Sequence, residues 1–251
     1  MITISSKNNP VVVETKKLYN KKYRKLNNQC IIEGEKLIRE AINSGVKLNK
    51  IFSTNEKLLA DFNENVSQLY LVTSSIIKEL SSTISPQNII AVIDTNYQYV
   101  SKSNCILILD NLQNPDNYGA IIRSAVATNF NKILAINCVD KFNEKVIRAS
   151  MGTIFRCEII ETDYQQIEKL SGNYTLFYAD MGGKSIFNFD VKNDKIGFVV
   201  GNEGNGVSDE IKKLVKNKVS IPMENNVESL NATVAGSVIM YQIYSKLLKI
   251  K

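Results

Sequence analysis

The sequence predicts an α/β protein of two domains in tandem, and three observations predict it. Short apolar runs alternate with amphipathic segments as far as Ile93; Cys105-Ile-Leu-Ile-Leu109 is a continuous apolar run of strand length; and a strand, a polar loop and a helix then follow one another three times. In order, the first domain reads as a strand over Cys30 to Glu33 and a helix over Gly34 to Ser44. A strand over Lys50 to Ser53 and a helix over Glu56 to Phe62 follow, then a strand over Leu69 to Val72 and a helix over Ser74 to Leu80. Ile89 to Ile93 is its last strand. The polar stretch Asp94 to Asn104 has neither a helical nor a strand period and is read as the linker, so the domains are placed at residues 1–98 and 104–251.

The apolar run at Cys105 suits a parallel strand covered on both faces. From there Ile106 to Leu109 leads into Asn114-Pro-Asp-Asn-Tyr-Gly119 and a helix through Phe130. Ile196 to Val200 leads into Gly201-Asn-Glu-Gly-Asn-Gly206 and a helix through Asn217. Val219 to Pro222 leads into a loop from Met223 to Leu230 and a long helix to the C-terminus. In open parallel sheets ligands bind at the carboxyl ends of strands, so these three loops are expected to converge on one site.

Composition narrows the chemistry. The 251 residues include no histidine, which excludes Ser-His-Asp and Cys-His catalysis and histidine metal ligation. The four cysteines, Cys30, Cys105, Cys138 and Cys157, lie far apart without a C-x-x-C pair, so buried reduced thiols are expected and no metal. No apolar run approaches the roughly 20 residues of a membrane helix, and Ser5, Ser6, Lys7 and Asn8 stand where a signal peptide needs an apolar core. A cytoplasmic protein is expected. The net charge of +6 is uneven: residues 1–50 hold 11 Lys and Arg against 4 Asp and Glu. Within them Lys16, Lys17, Lys21, Lys22, Arg24 and Lys25 interleave with Tyr19 and Tyr23, a pattern suited to nucleic-acid phosphates, although the charge run alone favours a solvated helix face.

In the first loop Gly119 permits a tight turn at a helix start, and Asn117 can cap it; Arg123, four residues on, can reach back over the loop. A cation that close to a helix N-terminus is mildly disfavoured by the macrodipole, which an anionic ligand would offset. The second loop has the order G-x-x-G-x-G, which is not the dinucleotide fingerprint, and carries Glu203 between its glycines, with Ser208 and Asp209 as cap candidates. Its glycines allow backbone to approach a flat adenine ring, or mark an irregular turn. The third loop offers Ser229 and Asn231 around Leu230 at a helix start, where capping explains either one. The last helix is apolar around most of its circumference, from Val234 to Leu248, so a second buried face is expected, against another subunit.

Together and in this order the motifs resemble the SpoU (TrmH-like) family of S-adenosylmethionine-dependent RNA ribose 2'-O-methyltransferases, of the SPOUT superfamily. Asn114-Pro-Asp-Asn-Tyr-Gly-Ala-Ile-Ile-Arg123-Ser-Ala is similar to the family's first motif, Val200-Gly-Asn-Glu-Gly-Asn-Gly-Val-Ser208 to its second, and Ile221-Pro-Met223 with Glu228-Ser-Leu-Asn-Ala-Thr-Val-Ala235 to its third. Arg148-Ala-Ser-Met-Gly-Thr-Ile-Phe-Arg156 resembles a further family segment. The beginning, including Ile32-Glu-Gly-Glu35, more loosely resembles the family's N-terminal substrate-binding extension of ribosomal-protein L30e-like fold.

The resemblance implies a C-terminal SPOUT domain with a parallel sheet and a deep trefoil knot, a homodimer formed through the knot, and a small L30e-like α/β domain before it. It implies S-adenosylmethionine as cofactor, held at Gly201, Glu203, Ile221, Met223 and Leu230, and a reacting ribose surrounded by Asn117, Arg123, Ser229 and Asn231. The RNA, ribosomal by analogy with the extension, would be gripped by Lys16, Lys21, Lys22, Arg24 and Lys25. Ala232 and Thr233 stand where the family more often has Val and Ser, and Thr233 keeps the hydroxyl. Other readings are a transfer-RNA ribose methyltransferase, a base methyltransferase, a catalytically silent RNA-binding protein of the same fold, and a nicotinamide oxidoreductase, against which the glycine order counts.

Overall fold

The computed structural model describes residues 1–190, 195–225, 227 and 229–248. Glu228 of the third motif lies outside them. Two compact units form: Met1–Gln98 with Asp140–Phe155, and Tyr99–Val139 with Arg156–Lys251.

The first unit is built on a five-stranded mixed sheet of order β1-β4-β3-β5-β2. Its strands are β1 (Ile2–Ile4), β2 (Gln29–Glu33), β3 (Leu48–Ser53), β4 (Val66–Val72) and β5 (Ile89–Asp94). The outer strand β1 pairs parallel with β4, as does β3, while β5 runs antiparallel to both β3 and β2. Five predicted elements, now α3 (Glu35–Asn43), α4 (Glu56–Ala60) and α5 (Ser74–Leu80) with strands β3 and β5, stand within a few residues of their expected limits. One side of the sheet packs Ile31, Phe52, Tyr70 and Ile90 with Val12, Ile76 and Leu80, and Phe52 stacks on Tyr70 at 4.9 Å.

Two helices precede the first expected strand. The first, α1 (Pro10–Lys17), starts where Asn9 accepts a bond from the Val11 amide and Pro10 sets the first helical φ. The next, α2 (Lys21–Asn27), is capped by Asn20 and stopped by Asn28 in the left-handed region at φ 51°. The basic run is therefore two capped helices, each too short for an apolar period to show.

The second unit has a six-stranded sheet of order β11-β9-β10-β6-β7-β8, parallel at every pairing. The strands are β6 (Cys105–Asp110), β7 (Lys132–Ile136), β8 (Glu158–Glu161), β9 (Thr175–Ser185), β10 (Ile196–Val200) and β11 (Asn217–Ser220). Central β6 and β10 are buried at every residue, as their unbroken apolar runs require. Helices α6 (Pro115–Ala127), α8 (Tyr164–Leu170), α9 (Asp209–Leu214) and α10 (Ala232–Leu248) complete it, while α7 (Glu144–Ser150) belongs to the first unit.

Two boundaries differ from expectation. The stretch Asn114 to Gly119 is the start of α6 and not a loop: Asn114 accepts from the amides of Asp116 and Asn117, and Pro115 follows it. Gly119 is buried inside the helix, so it makes no turn. Helix α9 ends at Leu214, and Asn217, expected to end it, instead begins β11.

Candidate active site

Three chain segments meet at the carboxyl ends of β6, β10 and β11, and Asn117 ties them together. Because Asn114 takes the capping role, the Asn117 side chain is free to face outward from the first turn of α6. Its amide nitrogen donates to Glu203 Oε1 at 3.1 Å, and its amide oxygen accepts from Asn231 Nδ2 at 3.2 Å. The Thr233 hydroxyl donates to the Asn117 carbonyl at 3.1 Å, and Glu203 Oε1 also accepts from the Asn114 amide. Asn231 in turn caps α10, its Oδ1 accepting from the amides of Thr233 and Val234. Capping is thus part of the role of Asn231, while for Asn117 the capping alternative is set aside.

The second loop is a closed turn. Asn202 and Gly206 exchange backbone bonds of 2.8 and 3.0 Å, and Asn202 Oδ1 accepts from the amides of Gly204 and Asn205. At Gly201 a Cβ would overlap the backbone of Gly206 and Val207, so glycine is required by the turn's own return strand, whatever approaches from outside. A Gly201→Ala variant is expected to lose about 1–3 kcal/mol through overpacking and to lose ligand binding with it; thermal denaturation and calorimetric titration read both.

The turn is seated on Asp110, the last residue of β6 and fully buried. Its carboxylate accepts from the Ser208 amide at 2.6 Å, from Asn111 Nδ2 at 2.8 Å and from the Tyr164 hydroxyl at 3.1 Å. Asn202 Nδ2 donates to the Asn111 carbonyl at 2.9 Å, a second tie between the turn and β6. Asp110, Asn111 and Asn202 were not singled out from sequence; the available signal was an acid closing an apolar parallel strand beside a polar loop. Ser208 caps α9, as expected.

Beside the turn lies a cavity of about 350 Å³ lined by Gly201, Glu203, Ile221, Met223, Ser229 and Leu230, every one a predicted site residue. Its volume falls in the ~300–1,000 Å³ span of small-molecule sites. Phe198, Val200 and Ile239 form an apolar wall. Another wall was invisible to the sequence reading. Lys218 pairs with Tyr178 but Val219 pairs with Lys184, so residues 179–183 of β9 leave the ladder and bring Asp180 and Met181 to the cavity. Asp180 Oδ1 accepts from the Gly182 amide at 2.9 Å and lies 3.7 Å from Lys218 Nζ.

Arg123 is not brought into this cluster. It stands on α6 eight residues after Pro115, about 12 Å along the axis, so the expected conflict with the helix dipole does not arise. Its side chain is exposed, does not line the cavity and has no hydrogen bond or ion pair among the described residues.

The basic segment divides. Lys21, Lys22 and Lys25 are exposed. Lys16 is exposed and ion-paired with Glu79. Arg24 corrects the expectation: only 5% exposed, it donates through Nε and Nη2 to Asp140 at 3.0 and 2.6 Å and through Nη1 to the carbonyls of Leu18 and Tyr19. A guanidinium so engaged is unavailable to a phosphate. None of the four cysteines is in a disulfide; burial pushes the Cys30 thiol up and that of Cys138 up to about 11, which keeps both protonated at neutral pH.

The model of the SpoU rRNA methylase family matches residues 104–241, and that of the MRM3-like substrate binding domain matches residues 9–91. The chain is 27% identical to the 23S rRNA (guanosine(2553)-2'-O)-methyltransferase RlmP of Bacillus subtilis, over 97% of this chain and 99% of that one. It shares the fold of an AdoMet-bound rRNA methyltransferase from Sinorhizobium meliloti, with TM-score 0.86, 22% identity and 98% of each chain covered. The SpoU methyltransferase AviRb of Streptomyces viridochromogenes, in complex with AdoMet, superposes with TM-score 0.83 and 21% identity over 96% of this chain and 99% of that one.

Proposed function

The chain belongs to the SpoU rRNA methylase family, and on that footing we propose that it transfers a methyl group from S-adenosylmethionine to a ribose 2'-hydroxyl of ribosomal RNA. The single observation that carries the reading is that Asn117, on the first segment, is bonded to Glu203, Asn231 and Thr233 of the two other segments, which between them line one cavity. The cavity suits the cofactor: an apolar wall faces a turn rich in backbone groups, and the carboxylates of Asp180 and Glu203 stand among its lining, as a cationic ligand favours. Gly201, Ile221, Met223 and Leu230 would hold it. S-adenosylmethionine, when bound, supplies a methyl made electrophilic by its sulfonium.

The protein's part is then alignment, worth up to about 7–11 kcal/mol in well-oriented cases. Asn117, with both ends of its amide bonded to Glu203 and Asn231, is a rigid post between cofactor loop and substrate side. Ser229 and Asn231 would position the ribose. Arg123 is proposed to hold the adjacent phosphate or the 2'-hydroxyl; a guanidinium has five donors and no acceptor, which makes it a better clamp than base. A reacting 2'-hydroxyl also selects RNA over DNA.

Residues 104–251 would carry catalysis and residues 1–98 the grip on RNA. Ribosomal RNA is favoured over transfer RNA by the substrate-binding domain match and by the 23S rRNA in the name of the Bacillus subtilis relative. Replacing Lys21, Lys22 and Lys25 together with Gln is expected to weaken RNA binding and flatten its dependence on log salt by about 0.7–0.9 per lysine. Arg24 is left out of that variant because it is structural. The homodimer is supported by α10, where Val234, Tyr241 and Leu248, seven residues apart, form an exposed apolar stripe. The knot that the resemblance implies and a cytoplasmic location belong to the same proposal; no helix among the described residues is long and apolar enough to cross a membrane.

Mass spectrometry of nuclease-digested ribosomal RNA from cells with and without the gene tests the function. A 2'-O-methyl nucleotide lost with the gene is expected; a lost base methyl, or no change, overturns it. Calorimetry with S-adenosylmethionine and NAD distinguishes the silent and oxidoreductase readings.

A further inference from the structure

Two motifs that the catalytic reading leaves without a role, Ile32-Glu-Gly-Glu35 and Arg148 to Arg156 as far as Phe155, meet in the first unit. Residues 140–155 fold onto that unit and not with the sheet that bears the cofactor loops. Between α3, the end of α7 and the segment 81–88 lies a second cavity, of about 190 Å³. It is too small for the ~300–1,000 Å³ class of whole cofactors and has room for one ring system.

Its construction is specific. Glu33 accepts from the Ser81 and Thr83 hydroxyls at 2.7 and 3.0 Å and from the Gln87 amide at 2.8 Å, which pins the segment 81–88 to the end of β2. Gly34, at φ 101°, lets the Gln87 side chain lie against the backbone, since a Cβ there would stand 2.5 Å from Gln87 Oε1. On the other side Met151 is held at φ 51° directly after α7, and is 46% exposed over the cavity with Leu37. A non-glycine residue in the left-handed region marks a position that the surroundings enforce.

The charges left over are positive. Lys36 and Arg148 line the cavity, and their side chains have no hydrogen bond or ion pair among the described residues. The carboxylate of Glu33 is engaged as above, and that of Glu35 is bonded to Arg39. On the segment that Glu33 pins, Ile84 is wholly exposed. Two free cations beside a small apolar slot with an amide at its edge match a planar ring attached to a phosphate.

We propose that this cavity holds one nucleotide of the RNA substrate, its base everted onto Leu37 and Met151 and its phosphate between Lys36 and Arg148. This rests on the RNA reading above and deepens it: the enzyme would recognise an unstacked base through its first unit, apart from the ribose that reacts. Thioether contact suits a base face, and single-stranded, everted bases are what proteins read in RNA.

The test is methyl NMR of the full chain labelled at its five methionines. Nucleoside 5'-monophosphates, adenosine and inorganic phosphate are titrated separately. The Met151 methyl is expected to move with the monophosphates at far lower concentration than with adenosine or phosphate. Arg148→Gln and Lys36→Gln, which break no bond in the fold, are each expected to weaken that response about tenfold, the loss of one charge-assisted contact. A Met151 methyl that stays fixed, responds equally to phosphate alone, or responds in both variants as strongly as in the parent overturns the inference. Met181 and Met223, at the other cavity, report S-adenosylmethionine in the same spectra. If they respond and Met151 does not, this inference alone fails; if Met151 responds to nucleotides and they ignore S-adenosylmethionine, the inference stands and the catalytic reading fails.

Discussion

An Arg123→Ala variant is expected to lose methyl transfer by about 10²–10³-fold, the scale for removing one preorganised charged contact at a reacting centre, while its affinity for S-adenosylmethionine stays within a few-fold of the parent. The separation follows from placement: Arg123 lines no part of the cofactor cavity and has no bonded partner among the described residues, so its removal leaves the turn at Gly201 and the Asn117 network as they are. Single-turnover rates and calorimetric titration on the same preparations check both halves. A parallel fall in cofactor affinity would place Arg123 in the cavity after all. Arg123→Lys sharpens the point, because an ammonium keeps the charge and loses the planar fork. Near-full transfer by that variant would exclude a role for the guanidinium.

The second large effect concerns stability. Removing either partner of the Arg24–Asp140 pair is expected to cost about 3–5 kcal/mol, because it strands a buried charge. The side chains of Arg24 and Asp140 are 5% and 10% exposed, and the guanidinium also holds the carbonyls of Leu18 and Tyr19, where α1 gives way to α2. Asp140 begins the segment that joins the first unit. Both Arg24→Ala and Asp140→Ala should therefore lower the melting temperature, by about 2–4 °C per kcal/mol for a chain of this size. The double change Arg24→Met with Asp140→Leu should cost much less than either alone, since no charge is left unpaired. Thermal and urea melts of the three proteins decide it. If the single variants melt like the parent, the pair is not structural and Arg24 returns to the RNA-binding set.

Much of the fold was legible because its signals are local. A strand buried on both faces must be apolar at every position, so Cys105 to Leu109 and Ile196 to Val200 could be read directly. An amphipathic helix such as α3 shows its period in nine residues. Where the signal was compositional the reading went astray: α1 and α2 are held by asparagine caps and a few buried residues, which a run of lysines hides. The start of α6 was missed for a related reason. Asn114-Pro115 is a cap followed by a first-turn proline, but the glycine at 119 drew the boundary forward.

The site divides the same way. Gly201, Glu203, Ile221, Met223, Ser229 and Leu230 could be named from motifs in the chain, and all of them line one cavity. Asp110 and the wall at Asp180 and Met181 could not. The first matters because a buried carboxylate needs donors, and these come from Asn111, Tyr164 and Ser208. The second exists because β9 and β11 slip register by five residues.

By itself, then, the order of residues determined the central strands, amphipathic helices such as α3, and the second and third loops that line the cavity, since each depends on periodicity and motif within a short stretch. Tertiary structure alone decided that Arg24 is a buried brace, that Arg123 stands apart from the cavity, and that residues 140–155 belong with the first unit. The physical reason is that desolvation and hydrogen-bond pairing depend on partners up to 116 residues away, as Arg24 and Asp140 are, and no local pattern encodes a partner at that distance.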